Sequence, residues 1–157
     1  MEGNISYRQA LTKIMAICGQ SEKCRFDIVT KLRQWDLTEE EIADALDYLI
    51  KEHFLDEKRF VRFYVNDKLR FNQWGKVKLS FMLRQKQIPE DIIREELRLM
   101  DNDLYEGTLR NLLKTKIRTL KGASDFERIG KLSVFAQSHG FEVDLAFRIA
   151  GELINAD

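Results

Sequence analysis

The side chains most often used in catalysis are few and scattered in this 157-residue chain. Its two histidines, His53 and His139, each lie near the end of a predicted helix. Glu39 and Glu41 form a close acidic pair, but they open a helical stretch, where the helix dipole favours carboxylates. Phosphate-binding glycine loops, nucleophile elbows and H-E-x-x-H zinc motifs are absent from the sequence. We therefore predict that the protein is not an enzyme.

The only cysteines, Cys18 and Cys24, do not form a C-x-x-C pair and have no histidine at zinc-ligand spacing. A free cysteine usually behaves as a small hydrophobic residue. We predict buried or half-buried thiols, and we expect neither a metal nor a cofactor.

Anion binding is the chemistry that the sequence favours. The chain has 26 basic and 26 acidic residues, but residues 56–88 hold nine basic and three acidic side chains, and residues 109–121 hold five basic and none acidic. Such a surface can face a phosphate backbone or an acidic protein, although an ordinary solvated helix face stays open as an alternative. The predicted basic surface consists of Arg59, Arg62, Lys68, Arg70, Lys76, Lys78, Arg84, Lys86, Lys114, Lys116 and Arg118.

The most distinctive local element is Trp74-Gly75-Lys76-x-Lys78. A glycine between two basic helices can reverse the chain while the indole packs in the core or stacks on a ligand. A second set of aromatic residues has helical spacing and is interpreted as core: Phe60, Phe63, Tyr64 and Phe71.

Helices must position these side chains, because one proline and eight glycines give too few turn signals for an all-β fold. Thr38 with Glu41 predicts a capping box, Asp56 predicts a second helix start, and Pro89 fits a first helical turn. Breaks and apolar stripes together predict helices at 6–18, 21–34, 38–52, 56–72, 75–86, 89–100, 102–121, 125–138 and 142–155.

The sequence also repeats. When the sequence is aligned with itself at a shift of 51 positions, Leu32-Arg33-Gln34 matches Leu83-Arg84-Gln85. A further shift of 53 positions matches only the pattern of apolar residues. We predict an all-α fold of three tandem three-helix repeats, at 1–54, 55–101 and 102–157, in an elongated, curved array. The third helix of every repeat is net acidic, which disfavours helix-turn-helix reading of the DNA major groove.

Four stretches resemble the RecX family of bacterial regulators of the RecA recombinase. They are Ser21 through Leu32, Leu55-Asp56-Glu57-Lys58-Arg59-Phe60-Val61-x-x-Tyr64-Val65, Trp74-Gly75-Lys76-Val77-Lys78-Leu79-x-x-x-Leu83, and Ile88-Pro89-Glu90. The family usually has paired Asp, an Ala at the position of Val61, and a second glycine where this chain has Asn72-Gln73-Trp74.

The resemblance implies a curved monomer that binds the RecA–single-stranded DNA filament and inhibits its extension, ATP hydrolysis and strand exchange. The alternatives are a module that binds DNA directly, without RecA, and a repeat scaffold for some other protein. Because no apolar run approaches the roughly 20 residues of a membrane span and no signal-peptide core opens the chain, we expect a cytoplasmic protein.

Overall fold

A computed structural model describes residues 5–122 and 124–156 of the chain. Within those ranges the chain forms nine α-helices and no strand, so the predicted all-α class is confirmed. The helices are α1 (Tyr7–Gln20), α2 (Arg25–Gln34), α3 (Glu39–Lys51), α4 (Glu57–Asn72), α5 (Lys76–Gln85), α6 (Glu90–Arg98), α7 (Asn102–Ile117), α8 (Asp125–Ser138) and α9 (Val143–Asn155).

The predicted caps start α3 and α4. The Thr38 hydroxyl accepts a hydrogen bond from the Glu41 amide at 3.1 Å, and the Glu41 carboxylate accepts one from the Thr38 amide at 3.0 Å. The Asp56 carboxylate accepts from the Arg59 amide at 3.1 Å. Each cap satisfies amides that the first helical turn leaves without a partner in the helix.

Several of the predicted boundaries are wrong, and α7 ends at Ile117 instead of residue 121. Gly19 lies inside α1, which ends at Gln20, and α2 begins at Arg25 instead of residue 21. A helical glycine lowers stability by only about 1 kcal/mol relative to alanine, which is too little to end a helix alone. Pro89 precedes α6 as its N-cap instead of lying in its first turn.

One turn recurs after α2, α5 and α8. At each place a residue in the left-handed region ends the helix, and the next residue's amide donates to the carbonyl five positions back. The left-handed residues are 51 and then 53 positions apart, matching the repeat in the sequence. They are Asp36, Gln87 and Gly140, with φ of 59°, 57° and 90°.

The core consists of two apolar clusters. One joins α1, α2 and α3 through residues such as Ile14, Leu32 and Leu49. The other runs from α4 to α9 and includes Leu83 and Phe141. The last six helices therefore share one core, whereas the first three pack mainly around their own.

The accessible surface is 9795 Å², about a fifth larger than the roughly 8,200 Å² expected for a compact monomer of this mass. This excess agrees with the predicted elongated shape. The curvature and the three repeat boundaries stay predictions. None of the helices in the described ranges has the length and apolarity to span a membrane.

The aromatic residues of α4 do not all enter the core. Phe60 is buried as predicted, and Tyr64 packs partly buried against the second cluster. Phe63 and Phe71 are 58% and 68% exposed, so their assignment to the core was wrong. The helical spacing places them on neighbouring faces of α4 but does not determine which face is covered.

Candidate functional site

Four of the eleven predicted cations form ion pairs that join structural elements. The Arg62 guanidinium makes two hydrogen bonds of 3.0 Å to the carboxylate of Glu96, which is only 3% exposed. These hydrogen bonds raise the pKa of Arg62. The pair joins α4 to α6, and it neutralises a carboxylate whose burial would otherwise be unfavourable.

Arg59 and Lys86 hold the first three helices against the second unit. Arg59 Nε lies 2.7 Å from Glu22 Oε1, and Lys86 Nζ lies 2.9 Å from Asp27 Oδ1. Burial opposes ionisation of Asp27, but the hydrogen bond from Lys86 leaves the Asp27 pKa below its ordinary value. Both cations therefore have partners within the chain.

Arg84 also has an internal partner. Its guanidinium hydrogen-bonds Glu90 across the turn between α5 and α6. Arg33 and Glu39 form the corresponding pair, 51 positions earlier, across the turn between α2 and α3. Arg84 thus belongs to the repeated turn.

A second group of cations lies against aromatic rings. Lys68 Nζ is 5.3 Å and Lys78 Nζ is 4.6 Å from the centroid of the Trp74 ring, so two ammonium groups lie near one half-buried indole. Lys68 Nζ also lies 5.7 Å from the Tyr64 ring. Cation–π contacts position these ammonium groups without neutralising their charge.

Lys76 is placed by a buried tyrosine. Its backbone amide donates to the Tyr105 hydroxyl at 2.9 Å, and its Nζ lies 4.8 Å from the centre of the Tyr105 ring. Tyr105 is 1% exposed and donates a hydrogen bond to the Glu142 carboxylate. Burial and this hydrogen bond raise the pKa of Tyr105. The neutral phenol therefore links α5, α7 and the start of α9.

Gly75 and Gly140 bring α5 next to the end of α8. The Gly75 amide donates to the His139 carbonyl at 2.8 Å, and the Val77 amide donates to the Gly140 carbonyl at 2.9 Å. A Cβ at Gly75 would lie 2.5 Å from the Gly140 backbone. This close approach of the two backbones therefore requires glycine at position 75. The chain reversal that we assigned to it is made by Gln73, whose φ is 52°.

This contact links the two basic stretches of the sequence. His139 Nδ1 lies 3.1 Å from the Gln73 carbonyl oxygen, and the His139 ring packs against Phe135 with centroids 4.9 Å apart. Lys116 Nζ lies 4.9 Å from the centre of the same Phe135 ring. We use the name basic–aromatic surface for Lys68, Trp74, Lys76, Lys78, Lys116 and Phe135.

Three predicted cations lie outside this group. Arg70 is exposed, with its guanidinium 5.6 Å from the centroid of the Phe71 ring. Lys114 and Arg118 are exposed on the last turns of α7 and at its end. Neither forms an ion pair with a side chain in the described part of the chain.

Sequence reasoning missed the residues that assemble this surface. Gln73 and His139 are 66 positions apart, and Lys76 and Tyr105 are 29 apart. Their contacts depend on packing between units, which no local spacing in the sequence indicates.

Similarity to known proteins agrees with this helical architecture. The family model for the second three-helix domain of RecX matches residues 56–97. The protein named regulatory protein RecX from Prosthecochloris aestuarii is 30% identical over 147 residues, covering 94% of this chain and 95% of that protein. Its namesake from Chlorobium phaeobacteroides is 32% identical over 135 residues, covering 86% and 87%.

Solved structures share the fold. The crystal structure of RecX from Lactobacillus salivarius superposes with a TM-score of 0.85 at 20% identity, covering 94% of this chain and 96% of that one. A second crystal structure, of regulatory protein RecX, gives 0.79 at 20% identity, covering 96% and 72%. On the identity and coverage of its relatives, the chain belongs to the RecX family.

Proposed function

We propose that this protein regulates the RecA recombinase by binding the RecA–single-stranded DNA filament. In this proposal it limits filament extension, ATP hydrolysis and strand exchange, and it acts as a cytoplasmic monomer without catalysing a reaction. The name regulatory protein RecX, which its relatives carry, supports a regulatory role. The observation that carries the proposal is the basic–aromatic surface, where cations remain available for an anionic partner.

The placement of Lys76 and Lys78 supports a binding role. Both lie in the first turn of α5, which contains no acidic residue. A cation at a helix N-terminus faces the positive end of the helix dipole, which is unfavourable by about 0.3–1 kcal/mol at an exposed site. A helix selected only for stability would favour carboxylates at these positions.

The acidic helices favour contact with a protein–DNA complex over reading of duplex DNA. The exposed charges of α3 include Glu39, Glu40, Asp44 and Asp47. Such a helix would be repelled by the phosphates lining a major groove. An elongated molecule with separate basic and acidic surfaces can instead contact neighbouring filament subunits and the bound strand.

RecA-catalysed, single-strand-dependent ATP hydrolysis tests the proposal. We expect inhibition by this protein at substoichiometric ratios to RecA from the same cell. The double variant Lys76→Glu/Lys78→Glu should require about tenfold more protein for half-inhibition, because two attractive contacts become repulsive. Its fold should persist, since both carboxylates would complement the dipole of α5.

Arg8→Glu/Lys51→Glu is the matched control, because it makes the same charge change at exposed positions of α1 and α3. It should inhibit like the parent protein. Equal inhibition by the Lys76→Glu/Lys78→Glu variant would remove the central part of this surface from the proposal. No inhibition by the parent protein at any ratio would reject the RecA-directed function.

Direct DNA binding is the second candidate, and the surroundings of Trp74 favour it, since a base could displace an ammonium group from the half-buried indole and stack there while Lys68 and Lys78 contact phosphates. If three lysines contact three phosphates, the logarithm of the affinity for single strands should fall with the logarithm of salt concentration with a slope of about −2. Tight binding to bare DNA with this slope, together with unchanged ATP hydrolysis, would select this candidate.

A further inference from the structure

An apolar groove lies on the third unit and adjoins the basic–aromatic surface, because Lys116 and Phe135 line both. It is open, has a volume of about 980 Å³ and is formed by α8 with side chains from the end of α7 and from α9. Phe126, Gly130 and Val134 follow one another at intervals of four along α8, and Phe147 lines the groove from α9. Phe126 is 87% exposed and Val134 is 66% exposed.

This stripe has no explanation in the protein's own core. Leu132 and Ala136 lie on the buried face of α8, whereas Phe126 and Val134 lie on a different, exposed face. Single exposed apolar residues are common, but aligned residues along a groove are typical of a surface that another protein covers. The distance along α8 from Phe126 to Val134 is about 12 Å, which is slightly more than two helical turns.

Gly130 leaves a notch in the middle of the stripe. A Cβ added there would meet no atom within 4 Å, so internal packing does not require glycine. Glycine inside a helix is destabilising by about 0.5–1 kcal/mol relative to alanine. The missing side chain allows another backbone to come close to α8 between Phe126 and Val134.

Charge at the groove favours an acidic partner. Lys116 and Lys131 both line it, and Glu127 contributes an acidic group. In the adjoining segment 109–121, Arg110 pairs with Glu152, and Lys114, Lys116, Arg118 and Lys121 are the other basic residues. An apolar strip bordered by cations complements an amphipathic helix whose flanks are acidic.

We propose that this groove binds an acidic amphipathic α-helix of a partner protein. Leucine, isoleucine or aromatic side chains at positions i, i+4 and i+7 or i+8 of that helix pack along Phe126, Gly130 and Val134. Carboxylates on its flanks pair with Lys116 and Lys131. The inference goes beyond the proposed function, since it requires neither RecA nor DNA.

A second copy of the chain is a poorer occupant. Its strongly acidic helices, α3 and α6, already bury apolar side chains such as Leu46, Leu49 and Ile93 in their own cores. Nucleic acid is also a poorer occupant, because an apolar strip of phenyl and aliphatic groups offers little to a phosphate backbone.

Selection from a peptide library tests the proposal. The full-length protein is presented to 16-residue peptides with Asp or Glu on the flanks and Leu, Ile, Phe or Trp at four helical anchor positions. A matched library carries Lys or Arg instead of the acidic residues. We expect enrichment from the acidic library only, and binding of a fluorescent selected peptide with a dissociation constant of roughly micromolar order.

Gly130→Glu should weaken this binding at least tenfold, because it fills the notch and adds a repelling carboxylate. The control is Gly107→Glu on α7, another helical glycine whose added Cβ would meet nothing within 4 Å. It should leave the affinity within about twofold, and circular dichroism should show both variants folded. Enrichment of basic peptides, or binding indifferent to Gly130→Glu, would overturn the proposal. Self-association abolished by Gly130→Glu would assign the groove to a second copy and overturn it equally.

Discussion

At the scale of single residues, internal partners decide what each basic side chain can do. Arg62 and Lys86 have the same formal charge as Lys78, but each pairs with a carboxylate inside the chain. Lys78 contacts an indole instead, and it forms no ion pair with any of the described residues. Clustering in the sequence therefore predicts a basic region, whereas the contacts separate its structural members from those available for binding.

The glycine pair offers a test at this scale. Gly75→Ala should lower the free energy of unfolding by about 1–3 kcal/mol, because the new methyl group must displace the backbone near Gly140 and Phe141. Gly107→Ala, in open space on α7, should raise it by about 0.5–1 kcal/mol. Urea denaturation of both variants measures these changes. A Gly75→Ala protein as stable as the parent would show that the two turns are not closely packed.

Single residues also show how far the sequence can predict this structure. The caps at Thr38 and Asp56 were predicted because a cap depends on residues three positions apart. The exposure of Phe63 could not be predicted, since it depends on which neighbouring helix covers α4. The surroundings of Trp74 depend in the same way on α8, which lies more than fifty positions later.

At the scale of helices, the same turn connects the second helix of each predicted repeat to the third. Its left-handed residue differs each time, from Asp36 to Gln87 to Gly140, while the backbone hydrogen bonds persist. This conservation of geometry without identity explains why the sequence revealed two copies clearly and the third only by its apolar pattern. Nine of the eleven predicted basic residues lie within helices, whereas Lys86 and Arg118 lie just beyond the ends of α5 and α7. Their partners on other helices were not predicted.

The junction between α2 and the end of α5 should respond to acid. Because the folded state lowers the pKa of Asp27, this carboxylate stabilises the fold above its unfolded pKa of 3.8, and the contribution is lost as the pH falls through the folded value. Asp27→Asn should therefore be less stable than the parent protein at pH 6, and the difference should be smaller at pH 3, below the unfolded pKa. Urea midpoints at both pH values provide the measurement.

Glu57, at the same junction, accepts a hydrogen bond from the Arg25 amide, and burial raises its pKa. The effect of Glu57 ionisation on stability therefore has the opposite sign to that of Asp27. Because Glu57 is present in both the parent protein and the Asp27→Asn variant, its effect cancels in the difference between them. A difference between parent and variant that is constant from pH 6 to pH 3 would contradict an ionised Asp27–Lys86 pair.

At the scale of the whole molecule, the division into two cores matters more than the division into three repeats. Helices α4 to α9 share one cluster, reinforced by Tyr105 and by the approach of Gly75 to Gly140. The first three helices meet the remainder mainly through polar contacts such as Arg59–Glu22 and Lys86–Asp27, with Cys24 as an apolar link. Burial of Cys24 raises its thiol pKa to about 12.

Hydrogen exchange should reveal this asymmetry. Amides of α1, α2 and α3 should open with a free energy at least about 1 kcal/mol below that of amides in α5 and α8, because the smaller core can separate first. Native-state exchange followed by mass spectrometry or NMR measures both sets. Equal opening free energies in the two sets would mean that the molecule unfolds as one cooperative unit.

The division of the core also separates the protein's two tryptophans. Trp35 is buried in the first cluster, with Lys13 and Lys31 near its ring, and Trp74 packs against the second cluster between Lys68 and Lys78. Each core therefore carries its own intrinsic optical reporter. Emission from Trp35 follows the state of the first three helices, whereas emission from Trp74 senses whatever displaces the neighbouring ammonium groups. Opening and ligand capture can therefore be observed in separate signals without attaching a dye.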